Sequence, residues 1–292
     1  RILNIFSKIL NLIKFKKKKE DVLYTRDVHY AFFGLLVYRE IYLELHMTYL
    51  SKLNLSYHFL KLIFKLKNVK IIFISKELSK IYKKNLCIPR CYVIAHDCSD
   101  DNYSNNKKKR KKSKKLSVGY CGHLYHGRGI EMIFSLAKFE KNINFNILGG
   151  FKSDKDYLQK FNKIPKNVNF FQHTAHRHIS KFLCKNDILI APYQRKLGKI
   201  EELDTARYMS PLKIFEYMSA KKAIICSNHK VLKEVLNNNI NSLLCNPDNL
   251  REWLFAINKL KKQKFREFLG NNAYRDFKKF YTWNKRIKKI IN

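Results

Sequence analysis

Short apolar stretches alternate with longer amphipathic stretches along most of the chain. The short stretches are typical of buried strands, and the segments between them carry apolar residues at helical spacing. Alternation of this kind predicts parallel βαβ units. In the amino-terminal part, the predicted strands are DVLYTR, IYLELH, VKIIFIS and CYVIAH, and the predicted helices are VHYAFFGLLVYRE, YLSKLNLSYHFLKLIFKL and KELSKIYKKN.

The alternation stops once and then restarts. Residues 97–115 form a polar, highly charged stretch that is typical of a linker or an exposed loop. Taken alone, its KKKRKKSKK run also resembles a nuclear import signal or a nucleic-acid-binding arm. The second series of predicted strands is LSVGYCG, INFNILGG, VNFFQH, DILIAPY, KAIICSN and SLLCNP. By its number of units, this block (residues 116–262) predicts a complete doubly wound sheet, and a helical tail follows it.

The start of the chain has a different pattern. Residues 1–19 predict an amphipathic helix that leads into a lysine run. Such a helix either packs against the rest of the protein or lies on an anionic membrane surface. No run in the chain reaches the ~18 apolar residues of a membrane span. The apolar positions of this helix are Ile2, Ile5, Phe6, Ile9, Leu10 and Ile13.

The charge balance limits the classes of partner. With 60 Lys and Arg against 23 Asp and Glu, the formal net charge is +37, and the 292 residues are enough for two domains. Such a charge attracts polyanions, which include nucleic acid, anionic lipid and phosphorylated substrates. Lys, Asn, Ile, Phe and Tyr are abundant throughout, as a genomic composition bias would produce, and the electrostatic attraction holds in either case.

The cysteines indicate thiols rather than a disulfide framework. Seven cysteines are an odd and scattered set, which suits a reducing compartment. Cys87, Cys91, His96 and Cys98 lie close in sequence, but they lack the paired CxxC spacing of a zinc site.

Candidate chemistry follows the strands of the second block, because ligands bind outside the carboxyl ends of an open parallel sheet. Gly122, Gly127 and Gly129 permit a tight turn before a helix, and Arg128 stands at that helix's start. Backbone amides, the helix dipole and a guanidinium together favour a phosphate. The spacing is not GxGxxG, so the dinucleotide fingerprint is absent.

A second turn of this kind lies in SPLKIFEYMS. We expect Ser210 to cap the helix and Pro211 to occupy its first position, with Lys213 beside the free amides. Glu216 stands in a helix that is apolar nearly all round. A Lys213–Glu216 helical pair contributes only ~0.2–0.5 kcal/mol, whereas a vicinal diol of a sugar satisfies both carboxylate oxygens.

These segments carry a family resemblance. GHLYHGRGIE, NFNILGG, VNFFQHTAHRHISKFLCKNDILIAPY and SPLKIFEYMSAKKAIICSN follow in the order and spacing of the retaining family 4 glycosyltransferases of the GT-B fold. The resemblance runs through nearly the whole chain. It implies an α/β fold with two Rossmann-like doubly wound parallel-sheet domains. It also implies transfer of a sugar from a nucleotide-diphosphate sugar to an acceptor hydroxyl with retention of configuration.

The resemblance also implies roles for residues. Glu216 matches the carboxylate that holds the donor ribose, and Arg128 matches the basic residue on the donor diphosphate. His46 matches a histidine that faces the sugar, although a strand-end histidine bonded to backbone is an alternative. Lys213 would join Arg128 in stabilising the leaving group. The remaining expected donor-binding residues are Gly122, His123, Ser210, Pro211 and Leu212.

The chain departs from the family pattern in two residues. Tyr208 stands where many members have the first Glu of an E-x7-E pattern, and His123 stands where many have a second phosphate-binding Arg. Arg128 then takes more of the phosphate contact. Candidates to read the sugar instead of that Glu are Glu201, Glu202 and Asp204.

The amino-terminal half is short for the fold. The glycine-rich loop after the first strand of that domain is absent, so we expect a fragment whose first domain is incomplete. The expected domains are a partial acceptor-side domain (1–105), a basic linker (106–115), a donor-binding domain (116–270) and carboxyl-terminal helices (271–292) that pack back toward the first domain.

The resemblance and the charge together set the remaining expectations. We expect a cytoplasmic enzyme at the inner face of a membrane, acting in envelope polysaccharide or glycolipid synthesis. A glycan or lipid-linked acceptor and an anionic membrane surface are expected partners; nucleic acid is not. No metal is expected, because the DKD at 154–156 opens a helix, where acidic residues are ordinary. A non-catalytic GT-B remnant and a basic nucleic-acid-binding protein are the alternatives.

Overall fold

The computed structural model describes residues 21–101, 115–150, 158–159, 161, 163–172, 174–195 and 204–292. The chain divides into two compact units. Unit 1 contains the described residues up to His96 together with Tyr208–Ser210 and Ile287–Asn292. Unit 2 contains the described residues of Asp97–Arg207 and Pro211–Arg286.

Unit 1 is built on a four-stranded parallel sheet in the order β1-β2-β3-β4. This arrangement confirms the strands and helices that the alternating pattern predicts. The strands are β1 (Leu23–Thr25), β2 (Ile41–Leu45), β3 (Val69–Phe73) and β4 (Tyr92–Ile94), and the intervening helices are α1 (Val28–Gly34), α2 (Leu55–Ile63) and α3 (Lys76–Asn85).

Side-chain caps fix where these helices begin. Asp27 accepts hydrogen bonds from the amides of His29 and Tyr30 at the start of α1. Asn54 and Ser75 cap α2 and α3 in the same way. Each cap satisfies amides that the first turn of a helix leaves without an intrahelical acceptor, which stabilises the helix by ~1 kcal/mol.

The core of unit 1 lies between its sheet and these helices. All five residues of β2 are buried, as expected for a strand covered on both faces. Tyr208 joins this core and is only 4% exposed. The Ser75 hydroxyl donates to the backbone carbonyl of Tyr208 over 2.8 Å. Tyr208 therefore contributes to the packing of unit 1.

Unit 2 is built on a six-stranded parallel sheet in the order β10-β9-β8-β5-β6-β7. It confirms the doubly wound sheet that the second series of strands predicts. The strands are β5 (Ser117–Cys121), β6 (Asn144–Leu148), β7 (Val168–Phe171), β8 (Ile188–Ala191), β9 (Ala223–Ser227) and β10 (Leu243–Cys245), and the helices are α4 (Ile130–Phe139), α5 (His176–Lys185), α6 (Leu212–Ser219), α7 (Leu250–Leu260), α8 (Gln263–Phe280) and α9 (Trp283–Ile291).

Residues 97–101 of the predicted linker belong to unit 2. Ser99 forms a β-bridge with Thr282, and Asp101 accepts from Tyr274 and forms an ion pair with Lys278 on α8. Residues 102–114, the predicted amino-terminal helix and the DKD stretch lie outside the described residues. The helical tail is confirmed as two helices, of which the last six residues group with unit 1.

Two properties expected of the whole chain can be compared with the described part. There, no helix is both long and apolar enough to cross a lipid bilayer. All seven cysteines are free. Among the described residues, Cys87, Cys91, His96 and Cys98 do not gather into a set of metal ligands.

Candidate functional site

The two halves of the unit 2 sheet meet between β5 and β8. From β5 the chain continues outward to β6 and β7, and from β8 it continues outward to β9 and β10. In an open parallel sheet, ligands bind at such a switch point, outside the carboxyl ends of the strands. The loops that begin there are the glycine-rich stretch after Cys121 and the stretch after Ala191.

The loop after β5 has a backbone that depends on glycine. Gly122 and Gly127 have φ angles of 143° and 86°, and Gly129, the N-cap residue of α4, has a φ of 81°. A Cβ on Gly129 would lie 1.7 Å from the carbonyl oxygen of Pro192, which no side chain permits. The start of α4 therefore lies directly against the loop that follows β8.

The turn after β6 approaches Gly122 just as closely. Gly149 has a φ of 133°, and a Cβ placed on it would lie 2.1 Å from the carbonyl oxygen of Gly122. The two turns are thus in backbone contact at the carboxyl edge of the sheet.

The α6 helix carries most of the predicted donor-binding residues, but it begins one residue later than predicted. Ser210 is not its N-cap residue, and Pro211 is not its first helical residue. Pro211 itself is the N-cap residue, because its φ of −78° and ψ of 120° are extended and helical dihedrals start at Leu212. Pro211 makes no side-chain cap bond to the helix. Leu212 is 50% exposed, and Ser210 is buried within unit 1.

Lys213 directs a buried ammonium into the switch point. Its Nζ lies against Gly122, where an added Cβ would be only 2.7 Å away. The same Nζ lies 4.1 Å from the ring centroid of Tyr120 and 5.2 Å from that of Tyr193. It donates to no acceptor among the described residues. Burial, and then the charge of Arg128, lower the pKa of Lys213 to about 7.

Arg128 lies against the same group of aromatic rings. Its guanidinium carbon lies 4.7 Å from the ring centroid of Tyr125 and 5.8 Å from that of Tyr193, and it donates a hydrogen bond to the Tyr125 hydroxyl. Its Nε is buried and has no acceptor in the described part of the chain. Tyr193 therefore has two cations over one ring.

Tyr193 is a residue that the sequence analysis did not single out. It is fully buried, and its hydroxyl has no hydrogen-bond partner within the described ranges. Burial raises the pKa of this phenol well above its ordinary value, so the hydroxyl keeps its proton. Its carbonyl accepts from the Ser227 hydroxyl over 2.6 Å, which anchors the loop. The sequence feature that could have indicated Tyr193 is its position in DILIAPY, just beyond the end of a predicted strand.

Glu216 is the carboxylate of this region. It is 9% exposed, one turn after Lys213 on α6. A Lys213–Glu216 hydrogen bond is not formed, since the Lys213 ammonium has no acceptor among the described residues. Glu216 also acts on Cys121: burial, and then this carboxylate, raise the pKa of the Cys121 thiol to about 12.

A cavity of about 150 Å³ opens beside the two glycine turns. The Tyr120 hydroxyl donates to the carbonyl of His123 over 2.6 Å, which holds the rim of the cavity. Gly122, Arg128, Lys213 and Glu216 are thus gathered at one edge of unit 2, and the exposed side chain of His123 lies at the cavity. The lining residues are Cys121, Gly122, His123, Leu148, Gly149, Gly150, Thr174 and Ile179.

The unit 2 site can hold an anion. Arg128 Nε, Lys213 Nζ and Tyr193 Oη are three buried donors that have no acceptor among the described residues. A buried donor left unsatisfied costs ~1–3 kcal/mol, and more when it is charged. A ligand with several anionic oxygens would satisfy all three. The first amides of α6 and the helix dipole add to the attraction.

Unit 1 holds the remaining predicted site residue, His46. It follows β2, and its Nε2 contacts the carboxylate of Glu44, which is fully buried. Glu44 also accepts from the Tyr24 hydroxyl and lies 3.3 Å from the Arg26 guanidinium. The alternative that His46 bonds to backbone is therefore not observed among the described residues.

The candidates for replacing the Glu of E-x7-E are only partly described. Asp204 accepts from the amide of Ala206 over 3.2 Å and so stabilises the short 3₁₀ turn Thr205–Arg207. Glu201 and Glu202 lie outside the described residues. Which residue reads the sugar stays a prediction.

Comparison with protein families gives one match. The family described as glycosyl transferases group 1 matches residues 101–276, which is more than half of the chain. A comparison with curated protein sequences finds no match.

Comparison with solved structures gives similar folds. A glycosyltransferase from Rickettsia africae ESF-5 has a TM-score of 0.80 at 14% identity, covering 100% of this chain and 80% of that one. The Anabaena protein HepE, solved with UDP-glucose, has a TM-score of 0.72 at 14% identity, covering 98% and 80%. Sucrose-phosphate synthase from Thermosynechococcus elongatus has a TM-score of 0.73 at 13% identity, covering 98% and 75%. These similarities confirm the GT-B fold with its two Rossmann-like parallel sheets.

Proposed function

The chain belongs to the group 1 glycosyl transferases, and from that premise we propose that it is a retaining enzyme of the family 4 type. It moves a sugar from a nucleotide-diphosphate sugar to an acceptor hydroxyl. One observation carries the proposal: three buried donors without an acceptor among the described residues, two of them cationic, meet at the switch point of unit 2.

The diphosphate of the donor occupies this group of donors. Its oxygens accept from Arg128, Lys213 and Tyr193, and from the first amides of α6. The glycine turns at Gly122 and Gly149 allow the phosphates to approach the backbone. The nucleoside extends into the adjoining cavity, which provides about 150 Å³.

Glu216 holds the donor ribose. Its carboxylate accepts two hydrogen bonds from the vicinal hydroxyls, which compensates for the burial of the charge on α6. Support comes from the Anabaena protein HepE, which was solved with UDP and with UDP-glucose. UDP-glucose is therefore the first donor to test.

The chemistry depends on stabilising the leaving group. Negative charge develops on the diphosphate as the glycosidic bond breaks. The Lys213 Nζ and the Arg128 Nε are already buried beside aromatic rings, so their charge acts at a lower dielectric than in water. We propose that these cations supply the charge that a divalent metal supplies elsewhere, and that EDTA leaves the rate unchanged.

Unit 1 supplies the acceptor side of the reaction. Here His46 contacts the transferred sugar, as the resemblance implies. We propose that the acceptor is a glycan or a lipid-linked glycan of envelope polysaccharide or glycolipid synthesis.

The surface of unit 1 around α2 has features that favour binding to an anionic membrane, which supports a membrane surface as the place where the enzyme acts. It presents exposed leucines beside lysines, and no Asp or Glu lies between Glu44 and Glu77. Apolar burial and attraction to anionic lipid act together on such a surface. The exposed leucines are Leu53, Leu55 and Leu62, and the neighbouring lysines are Lys52, Lys61, Lys65 and Lys67.

Calorimetry tests the donor assignment. We expect selective binding of one nucleotide diphosphate among UDP, GDP and ADP, and about 10–100-fold weaker binding by Glu216→Gln. Inorganic pyrophosphate lacks the ribose, so its binding should not change in that variant. Glu252→Gln, which alters an exposed carboxylate of unit 2, is the matched control. Equal loss of pyrophosphate binding would contradict the ribose contact.

Two measurements test the alternatives of a non-catalytic remnant and a nucleic-acid-binding protein: turnover of the donor, and the salt dependence of oligonucleotide binding. Transfer or hydrolysis of the bound donor, with the anomeric configuration followed by NMR, excludes a non-catalytic remnant. A nucleic-acid-binding protein would instead bind single-stranded oligonucleotides with an affinity that falls steeply with salt.

A further inference from the structure

The geometry points to Glu44 as a positioning residue for His46 in unit 1. We infer that its buried carboxylate holds the imidazole by Nε2–H and leaves Nδ1 as the nitrogen that meets the ligand. The inference rests on the proposed function in one respect, namely that His46 contacts the transferred sugar.

The Glu44 side chain is buried, so its carboxylate is not exposed to solvent. Its side chain is 0% exposed, whereas that of His46 is 30% exposed. Charged carboxylates are seldom fully buried unless they are paired. The partners of Glu44 include three side chains. Tyr24 lies on β1, Arg26 follows β1 directly, and His46 follows β2 directly.

Hydrogen-bond chemistry assigns the tautomer. The Glu44 carboxylate accepts from the Tyr24 hydroxyl and lies 3.3 Å from the Arg26 guanidinium, so its oxygens act as acceptors here. The His46 Nε2 in contact with it must therefore carry a hydrogen. Nδ1 is the ring nitrogen that does not contact Glu44, and the side chain that carries it is 30% exposed. It is the ring nitrogen left to accept from, or donate to, a bound molecule.

The backbone makes this arrangement possible. Residues 44 and 46 are two apart, so on an extended chain their side chains share a face. The register of β1 against β2 pairs Thr25 with Leu43, so Tyr24 and Arg26 flank the same end of the sheet. A carboxylate that fixes a histidine in this way limits ring rotation and keeps the reactive nitrogen oriented.

Proton NMR tests the bond directly, on the full chain. We expect a downfield, slowly exchanging imidazole N–H resonance that His46→Asn removes. Glu44→Leu should remove the same resonance, and Glu44→Gln should retain it, because the amide oxygen still accepts. Glu40→Gln is the matched control: Glu40 is an exposed carboxylate just before β2 that bonds to Tyr42.

Kinetics with UDP-glucose tests the consequence. In Glu44→Leu we expect kcat to fall at least about ten-fold, with KM for the donor changed less than about two-fold, and in Glu44→Gln we expect most of kcat to be restored. Circular dichroism verifies that both variants are folded. An unchanged N–H resonance or an unchanged kcat in folded Glu44→Leu would overturn the inference.

The two proposals fail separately. If the wild-type chain transfers no sugar from any nucleotide donor, the proposed function fails, while the N–H resonance still decides whether Glu44 holds His46. If transfer occurs and His46→Asn abolishes it while folded Glu44→Leu does not, the positioning role alone is wrong.

Discussion

The two units differ in whether the buried atoms of their charged groups have hydrogen-bond partners among the described residues. In unit 1 the buried carboxylate of Glu44 contacts Tyr24, Arg26 and His46. In unit 2 the cationic side chains of Lys213 and Arg128 lie over aromatic rings, and the buried Nζ of the first and Nε of the second lack an acceptor among the described residues. A satisfied buried charge fixes its neighbours, whereas an unsatisfied one costs stability that a ligand can recover.

This comparison predicts effects of opposite sign. Removing the charge of Lys213 from unit 2 should stabilise the folded chain and strongly weaken ligand binding. Removing the charge from unit 1 should destabilise the chain, because its donors lose their acceptor.

The largest effect is expected for Lys213→Met. Nucleotide diphosphate binding should weaken at least about 100-fold, because a buried charge-assisted contact is lost. At the same time, the free energy of unfolding at pH 6 should rise by about 1–4 kcal/mol, because no ammonium has to be desolvated. Calorimetry and urea titration measure the two quantities. A variant that is less stable than the wild type would contradict the unsatisfied state of Lys213.

The stability gain of Lys213→Met should depend on pH. With a pKa of about 7 in the folded chain and an ordinary value of 10.5 in the unfolded chain, Lys213 is protonated in both states below pH 7. Between these values only the unfolded state holds the proton, so the wild type gains stability as pH rises. The advantage of the variant should therefore be greatest below pH 7 and shrink toward pH 9.

The opposite sign is expected in unit 1. Glu44→Leu should lower the free energy of unfolding by about 1–3 kcal/mol, because the Tyr24 hydroxyl and the Arg26 guanidinium lose their shared acceptor. Urea unfolding at pH 7 measures this change, and Glu40→Gln should stay within about 0.5 kcal/mol of the wild type. A neutral or stabilising result would remove the contrast between the units.

A smaller effect concerns proton uptake on binding. Because the diphosphate favours charged Lys213, binding above pH 7 should take up a proton, and affinity should fall about five- to ten-fold from pH 7.5 to 8.5. Calorimetry in buffers of different ionisation enthalpy measures the uptake. Lys213→Arg, which stays charged, should show little uptake over the same range.

The smallest effect is expected for Tyr193→Phe. This change removes an unsatisfied buried hydroxyl and keeps the ring beneath the two cations, so stability should rise by up to about 1 kcal/mol. Nucleotide affinity should fall about three- to ten-fold, because one donor to the diphosphate is lost. Tyr217→Phe is an informative control, since its hydroxyl already bonds to the amide of Cys121 and its loss should destabilise the chain.

Much of the fold follows from the sequence because both sheets are regular. The alternation of apolar strands and helices placed every strand of the two sheets, and the glycines after Cys121 marked the turn at the switch point. The start of α6 was displaced by one residue, since the sequence SP suits two different N-cap assignments and only the backbone dihedrals distinguish them.

The site was less predictable, because it depends on contacts between distant parts of the chain. The sequence singled out Arg128 and Lys213 separately, but not that they share the ring of Tyr193, which comes from a third loop. Nor does the spacing of Glu44 and His46 reveal that Tyr24 and Arg26 converge on the same carboxylate. Such convergence is set by strand order, which local patterns do not encode.

The contact between Gly149 and the carbonyl of Gly122 limits how this site can be altered. Because even a methyl group at 149 would overlap the neighbouring backbone, that part of the site has no side chain through which selection or design can act. Variation in the choice of nucleotide must then come from lining positions that carry side chains. His123, Thr174 and Ile179 are such positions, and a library for changing donor preference is best concentrated on them.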